Sequence, residues 1–188
     1  MVKFSKLMLI GWTMSSLMFF CSDNTINKSQ IPKYDVFTFE HKLTLPGTPE
    51  VIYDAISGDI SGWWDHSFSE NPNKFYIEAK PGGGFREIFD DSGDGVLHAT
   101  VIYAERGKAL RFDGPLGLSG TAIKMVTTYN FTPVGTDSTA LSVSLNASGE
   151  MEKGTGDVVK NVWHHFMFER FKPYIEEKRY SKKNIFKP

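Results

Sequence analysis

A run of short segments that alternate apolar and polar residues constrains this chain more than any other feature. Alternation of this kind is typical of strands with one buried face, and strands joined by short turns pack as antiparallel hairpins. Turn-forming residues separate the segments, for example Pro81-Gly82-Gly83 and Asp90 to Gly95. The candidate strands are 36–45, 74–79, 84–89, 96–105, 109–113, 121–132 and 138–147. The sequence therefore predicts an antiparallel meander.

Helical segments flank the predicted strands. Thr48 and Pro49 suit the N-cap and first position of a short helix that runs to Ile56, and 61–66 predicts a second short helical turn or a loop. Residues 158–178 predict a long helix with an unusually wide apolar face. Its stripe comprises Val159, Val162, Trp163, Phe166, Arg170 and Tyr174, widened by Val158, Met167 and Phe171. A helix this apolar needs a large apolar surface, and the predicted sheet is the surface available.

These elements follow one another in the order of the helix-grip fold. Five motifs carry the likeness: LPGTPEVIYDAI at 45–56, GWW at 62–64, GGGFRE at 82–87, GVLHATV at 95–101 and WHHFMFERFKPYI at 163–175. In them the chain resembles the START/Bet v 1-like (SRPBCC) superfamily, and more narrowly the branch similar to the C-terminal domain of Hsp90 ATPase activators. The resemblance implies an α+β fold in which a curved antiparallel sheet wraps around a long C-terminal helix, with two short helices after the first strand.

The N-terminal residues predict an export signal. Lys3 and Lys6 precede the uncharged segment 7–20, which is shorter than the roughly 20 residues of a membrane-spanning helix. Cys21 follows and opens a polar segment, an arrangement that resembles a bacterial lipoprotein signal with a lipidated cysteine. The expected organisation is a signal peptide at 1–20, a polar tether at 21–36, the helix-grip domain at 37–177 and a basic tail at 178–188. We expect an exported protein, membrane-anchored or extracytoplasmic; an uncleaved anchor helix is the alternative.

Composition excludes several kinds of function. Lys and Arg number 21 against 22 Asp and Glu, so no basic field favours nucleic acid as a partner. A single cysteine excludes an intramolecular disulfide, and no G-x-S-x-G nucleophile motif is present.

The histidines do not have the spacing of a metal site. Adjacent His164 and His165 point about 100° apart on a helix, and the other histidines lack metal-binding spacing, so we expect neither a metal site nor a cofactor. Asp65-His66 fits either an acid–base pair at a pocket mouth or a solvated loop.

Aromatic residues make up 14% of the chain, and the resemblance implies a cavity between the sheet and the long helix. Such cavities are mostly apolar, with a few polar groups that orient a ligand. The alternative is that the aromatic side chains simply fill the core. The candidate lining residues are Trp63, Trp64, Phe85, His98, Tyr103, Phe112, Tyr129, Trp163, Phe166, Met167 and Arg170.

The leading hypothesis is an exported, lipid-anchored domain that binds a small hydrophobic molecule or lipid in this cavity without covalent chemistry. The first alternative is a cyclase- or dehydratase-type enzyme that uses the same cavity. The second is a protein-interaction module similar to the Hsp90 activators, with an unknown partner. A titratable group with a perturbed pKa in the cavity would favour the enzyme, and His98 and Tyr103 are the residues to inspect.

Overall fold

The computed structural model describes residues 33–182, and their strands form one antiparallel sheet. The strands are β1 (Tyr34–Pro46), β2 (Gly58–Asp59), β3 (Lys74–Ile77), β4 (Gly84–Ile88), β5 (Gly95–Glu105), β6 (Ala109–Asp113), β7 (Ile123–Val134) and β8 (Ser138–Glu150). Their spatial order is β1-β8-β7-β6-β5-β4-β3-β2, so each of β2 to β7 lies next to the strand that follows it, and β8 also pairs with β1, which places β1 and β2 at opposite edges. The predicted meander is confirmed.

Helices lie at the start and end of the domain. Helix α1 (Pro49–Ile56) follows β1, with Thr48 at its N-cap as predicted. The predicted second short helix is one turn, in which Trp64 N donates a hydrogen bond to Ile60 O. The long C-terminal helix consists of α2 (Thr155–His164), a π-helical segment (His165–Phe171) and α3 (Lys172–Glu176). The curved sheet and this helix give the α+β helix-grip architecture that the sequence predicted.

Strand β1 begins earlier than the predicted domain boundary. Tyr34 pairs with Glu150, and the ladder continues to Pro46 opposite Ser138. Residues 34–36, expected to end the tether, therefore belong to the strand, because β8 extends far enough to supply their backbone partners. The rest of that tether, the signal segment with Cys21, and residues 183–188 of the expected tail lie outside the described residues.

The π-helical segment changes which side chains of the C-terminal helix face the sheet. The backbone N–H of Lys172 donates to Met167 O, five residues earlier, as in π winding. In this winding Phe171, rather than Arg170, continues the apolar face from Phe166, and Phe171 is fully buried. The predicted placement of Arg170 on the apolar stripe is wrong for this reason, since its side chain is 38% exposed.

Two bulges break the alternation of β5. Against β4, the register shifts between Phe85 and Arg86, which makes His98 the extra residue, and both His98 and Ala99 are buried. Against β6, a second shift makes Ile102 the extra residue. Bulges of this kind redirect side chains and recur next to functional sites.

The core lies between the concave face of the sheet and the C-terminal helix. Fully buried aromatic and apolar side chains from both sides meet there, and Trp63 packs edge-to-face on Phe171 with ring centroids 5.0 Å apart. Across the described part of the chain, no helix combines the length and apolar character needed to cross a membrane.

Candidate functional site

A cavity of about 350 Å³ lies between the sheet, the first half of the C-terminal helix and two loops. Exposed Phe68 and Val158 are among its lining residues, so the cavity meets solvent on that side. The wall is largely apolar, and His98 is its buried polar group. The lining consists of Trp64, His66, Ser67, Phe68, His98, Pro115, Leu116, Gly117, Leu118, Met125, Val158, Val159, Val162, Trp163 and Phe166.

The structure brings four of the expected lining residues to this cavity: Trp64, His98, Trp163 and Phe166. Five others are buried in the core beside it rather than in its wall. These are Trp63, Phe85, Phe112, Tyr129 and Met167, each no more than 2% exposed. Both interpretations of the aromatic residues therefore apply, each to a different subset.

Tyr103 and Arg170 lie outside the cavity lining. The bulge at Ile102 turns Tyr103 to the outer face of the sheet, where its hydroxyl donates a hydrogen bond to Glu105 at 2.6 Å. Arg111 covers the Tyr103 ring with its guanidinium 5.7 Å from the centroid. Strict alternation from buried Val101 places Tyr103 inside, and the bulge is the reason that this expectation fails.

A buried carboxylate and imidazole form what we call the inner pair, Glu87 and His98. Glu87 Oε2 lies 3.1 Å from His98 Nε2, and the two side chains are 0% and 4% exposed. The backbone N–H groups of Phe68 and Ser69 donate to the same carboxylate at 3.0 and 2.8 Å. The inner pair therefore ties the loop that carries Phe68 to the sheet.

Burial governs the chemistry of His98. Desolvation lowers its pKa, and the hydrogen bond to Glu87 offsets this only in part, together with a backbone hydrogen bond to Leu116. Aromatic rings surround the imidazole, with Phe68, Phe75 and Phe85 at centroid distances of 5.6, 5.3 and 5.2 Å. His98 is thus held by contacts within the protein while its ring forms part of the cavity wall.

The loop between β6 and β7 closes one side of the cavity through a close backbone approach. Gly114 lies so near β5 that a Cβ there would be 2.4 Å from Ala99 Cα and 2.6 Å from His98 O. This contact brings Leu116 against His98, and Leu116 adopts a left-handed backbone with φ of 52°. Such a conformation in a non-glycine residue persists only where surrounding contacts hold it.

Trp64 joins the loop after β2 to the C-terminal helix. Its ring stacks on Phe166 with centroids 3.8 Å apart and an interplanar angle of 19°. Its Nε1 donates a hydrogen bond to the carbonyl of His66 at 2.7 Å. The same indole therefore forms cavity wall and fixes the chain immediately after it.

Beside this stack lies the outer cluster, which comprises Asp65, His66, His165, Glu169 and Arg170. Asp65 Oδ1 is 2.9 Å from His66 Nδ1, and Asp65 Oδ2 is 2.9 Å from His165 Nε2. Arg170 Nε lies 3.1 Å from Asp65 Oδ2, and His165 Nδ1 lies 2.8 Å from Glu169 Oε2. The cluster is partly exposed, and His66 is also part of the cavity lining.

Hydrogen bonds govern the titration of the outer cluster. Partial burial opposes ionisation of Asp65, but hydrogen bonds from His165 and His66 outweigh it and lower the pKa of Asp65. The hydrogen bonds to Asp65 and Glu169 raise the pKa of His165. An acid–base arrangement at the cavity edge is thus present, with Asp65 contacting His165 as well as its neighbour His66.

Sequence reasoning missed several residues of this site. Glu87 had a signal, because alternation in β4 puts it on the same face as Phe85, where a charge is unexpected. The pairing of Asp65 with His165 had none, since 100 residues separate them in the chain. The lining residues 115–118 fall between the predicted strands 109–113 and 121–132, where strand alternation indicates no cavity role.

Comparisons with known proteins bear on the fold. No protein-family model matches the chain, and no curated protein does either. A solved structure of a Rhizobium leguminosarum protein is similar, with a TM-score of 0.55 and 15% sequence identity, over 78% of this chain and 99% of that one. A Mesorhizobium loti protein is also similar, with a TM-score of 0.54 and 20% identity, over 75% of this chain and 98% of that one. A Rhodobacter sphaeroides protein has a TM-score of 0.53 and 16% identity, over 78% of this chain and 98% of that one. Together with the sheet and helix described above, these similarities show that the chain has the helix-grip fold.

Proposed function

We propose that the domain binds a small hydrophobic molecule in the cavity between its sheet and its C-terminal helix. The observation that supports this is the apolar lining with one buried polar group, since ligand sites combine apolar walls with few orienting groups. Helix-grip folds commonly bind hydrophobic ligands. The volume of about 350 Å³ is near the lower end of the roughly 300–1,000 Å³ typical of small-molecule sites. A compact ligand therefore fits better than a whole lipid with long acyl chains.

A cavity-filling substitution tests this proposal. Val162 lies in the wall on α2, and in Val162→Phe the added ring would occupy ligand space. The matched control is Val134→Phe, the same substitution at an exposed strand position. We expect the probe 1-anilinonaphthalene-8-sulfonate to bind the native chain and the control equally, and Val162→Phe at least about tenfold more weakly. Equal binding by both variants would exclude the cavity as the site.

Native mass spectrometry identifies the ligand class. The full chain is purified under mild conditions and its co-purified small molecules are measured for the native protein and for Val162→Phe. A molecule present on the native protein and absent from the variant supports the proposal. A molecule retained by both variants would assign it to a surface elsewhere.

An enzyme remains the second candidate because His98 is a buried titratable group with a lowered pKa in the cavity wall. Its contacts with Glu87 and Leu116 occupy the ring, so catalysis would require one of them to be released. The test is a His98→Gln variant incubated with the molecule identified above. Conversion by the native chain but not by the variant would favour the enzyme, whereas recovery of the unchanged molecule from both supports a carrier.

We further propose that the domain acts outside the cytoplasm, anchored to a membrane through a lipid on Cys21. The charge pattern of residues 1–20 and the position of Cys21 support this proposal. In cell fractionation, a Cys21→Ser variant should move from the membrane to the soluble fraction. Unchanged partitioning would favour an uncleaved anchor helix instead.

A further inference from the structure

Three metal-ligating side chains from two distant parts of the chain converge at the edge of the cavity. Asp65 and His66 are in the loop after β2, and His165 is the first residue of the π-helical segment. Each offers a ligand atom, and these atoms all lie within 4.8 Å of one another. In a tetrahedral site with bonds of about 2.0–2.1 Å, ligand atoms are roughly 3.3 Å apart. Small side-chain movements therefore suffice to bring all three around one ion.

Buried aromatic residues hold the ligating groups in place. Trp64 directly precedes Asp65, Phe166 directly follows His165, and the two rings stack at 3.8 Å. Trp64 also donates a hydrogen bond to the carbonyl of His66. The backbones of both ligating segments are thus fixed by one buried contact, which reduces the entropy lost on binding an ion.

A further carboxylate completes the arrangement around His165. Glu169 Oε2 lies 2.8 Å from His165 Nδ1, while His165 Nε2 faces Asp65. A metal-bound histidine usually donates its other N–H to a carboxylate or carbonyl, which fixes the ring and strengthens the ligand. Glu169 is positioned for this role when Nε2 binds an ion.

Arg170 is the group that opposes a cation here. Its Nε lies 3.1 Å from Asp65 Oδ2, yet the contact lacks hydrogen-bond geometry and Nε has no hydrogen-bond partner among the described residues. The side chain is 38% exposed although its Nε is buried, and it would have to move away from Asp65 Oδ2 for that oxygen to bind an ion. Among the described residues, the partner of Asp65 Oδ1 is His66 Nδ1, itself a proposed ligand atom, so an ion bound between the two would replace that hydrogen bond.

We propose that Asp65, His66 and His165 bind one divalent transition-metal ion, of which Zn²⁺ is the representative. Imidazole and carboxylate ligands suit zinc and its first-row neighbours, and three protein ligands leave a position for water or a ligand. His66 and Phe166 also line the cavity, so the ion lies at its edge. The proposal does not depend on what occupies the cavity.

The test is a titration of the chelator-treated full chain with Zn²⁺ by calorimetry, together with Co²⁺ absorption to report the ligand geometry. We expect one ion per chain, and Asp65→Asn and His165→Gln should each weaken binding by more than the roughly tenfold expected for Glu169→Gln. A Cys21→Ser chain, measured in parallel, should bind like the native one. Failure of the native chain to bind either metal would overturn the proposal.

Two further variants separate this site from general histidine binding. His164→Gln changes the adjacent, exposed histidine on the same helix and should leave the affinity unchanged. Arg170→Gln removes the opposing charge and should increase the affinity. Equal losses in His164→Gln and His165→Gln would contradict the proposed ligand set. Circular dichroism of each variant checks that the fold is retained.

Discussion

The inner pair and the outer cluster combine the same two groups, a carboxylate and an imidazole, but the pKa of the histidine shifts in opposite directions. In the inner pair both side chains are at most 4% exposed, and burial lowers the pKa of His98. In the outer cluster the side chains are 30–61% exposed, and hydrogen bonds raise the pKa of His165. Solvent access therefore decides whether desolvation or hydrogen bonding prevails. The inner pair ties the loop that carries Phe68 to the sheet, while the outer cluster is accessible to solvent.

Removal of the inner carboxylate should have the largest effect on stability. Glu87→Ala leaves His98 and the N–H groups of Phe68 and Ser69 without their acceptor, and because each buried donor left unsatisfied costs about 1–3 kcal/mol, the total loss should be about 3–5 kcal/mol. We expect the free energy of unfolding in urea to fall by that amount. Glu105→Ala, at an exposed ion pair, is the control and should change it by less than about 1 kcal/mol.

If Glu87→Ala does not fold, Glu87→Gln serves in its place. The amide keeps one acceptor oxygen, so the loss should be smaller than the one expected for alanine. An unfolding free energy equal to that of the native chain in both variants would show that the inner pair is not a structural element.

Stability should be next most sensitive to a substitution in the loop between β6 and β7, which covers His98. In Gly114→Ala the new methyl group meets the backbone of Ala99 and His98, and overpacking of this kind costs about 1–3 kcal/mol. Gly117→Ala is the matched control, because its Cβ would meet open space in the same loop. Thermal or urea unfolding distinguishes them, and equal stability of the two variants would contradict the close approach.

The inner pair should also make stability depend on pH in one direction. Because the pKa of His98 is lowered in the folded state, its contribution is complete above the unfolded value of about 6.5 and is lost as pH falls below it. The titratable group within hydrogen-bond distance of His98 is Glu87. We expect the free energy of unfolding to decrease between pH 7 and 5, and His98→Gln to flatten this dependence. If the free energy of unfolding of the native chain instead rises as the pH falls, His98 does not control its pH dependence.

Neutralisation of Asp65 in the outer cluster should have the smallest effect on the free energy of unfolding. Asp65→Asn in metal-free protein removes partly exposed ion pairs, so the loss should stay within about 1 kcal/mol. It should shrink further in 1 M salt, where charges are screened within about 3 Å. Asp113→Asn, which breaks the exposed pair with Lys124, is the comparison variant. A loss above about 3 kcal/mol would place the outer cluster with the inner pair as a structural element.

Much of the fold could be predicted because strand alternation and helix capping are local properties. The predicted β6 matches its observed bounds, and the other long strands differ by a few residues at their ends. Tyr103 was misplaced because alternation assumes a regular ladder, and the bulge at Ile102 depends on the neighbouring strand. Arg170 was misplaced for a similar reason, since the α-helical period of 3.6 does not hold through the π-helical segment.

By itself, the sequence determined the antiparallel strands, the apolar C-terminal helix and most of the surfaces that become buried, because apolar periodicity is a local property of each segment; the helix-grip arrangement of these elements was implied by the resemblance. Only the tertiary structure decided which aromatic residues fill the core and which line the cavity. It also decided that Glu87 meets His98 and that Asp65 meets His165. Those pairings depend on bulges, helix winding and loop approach, which arise when distant segments pack and which no local pattern encodes.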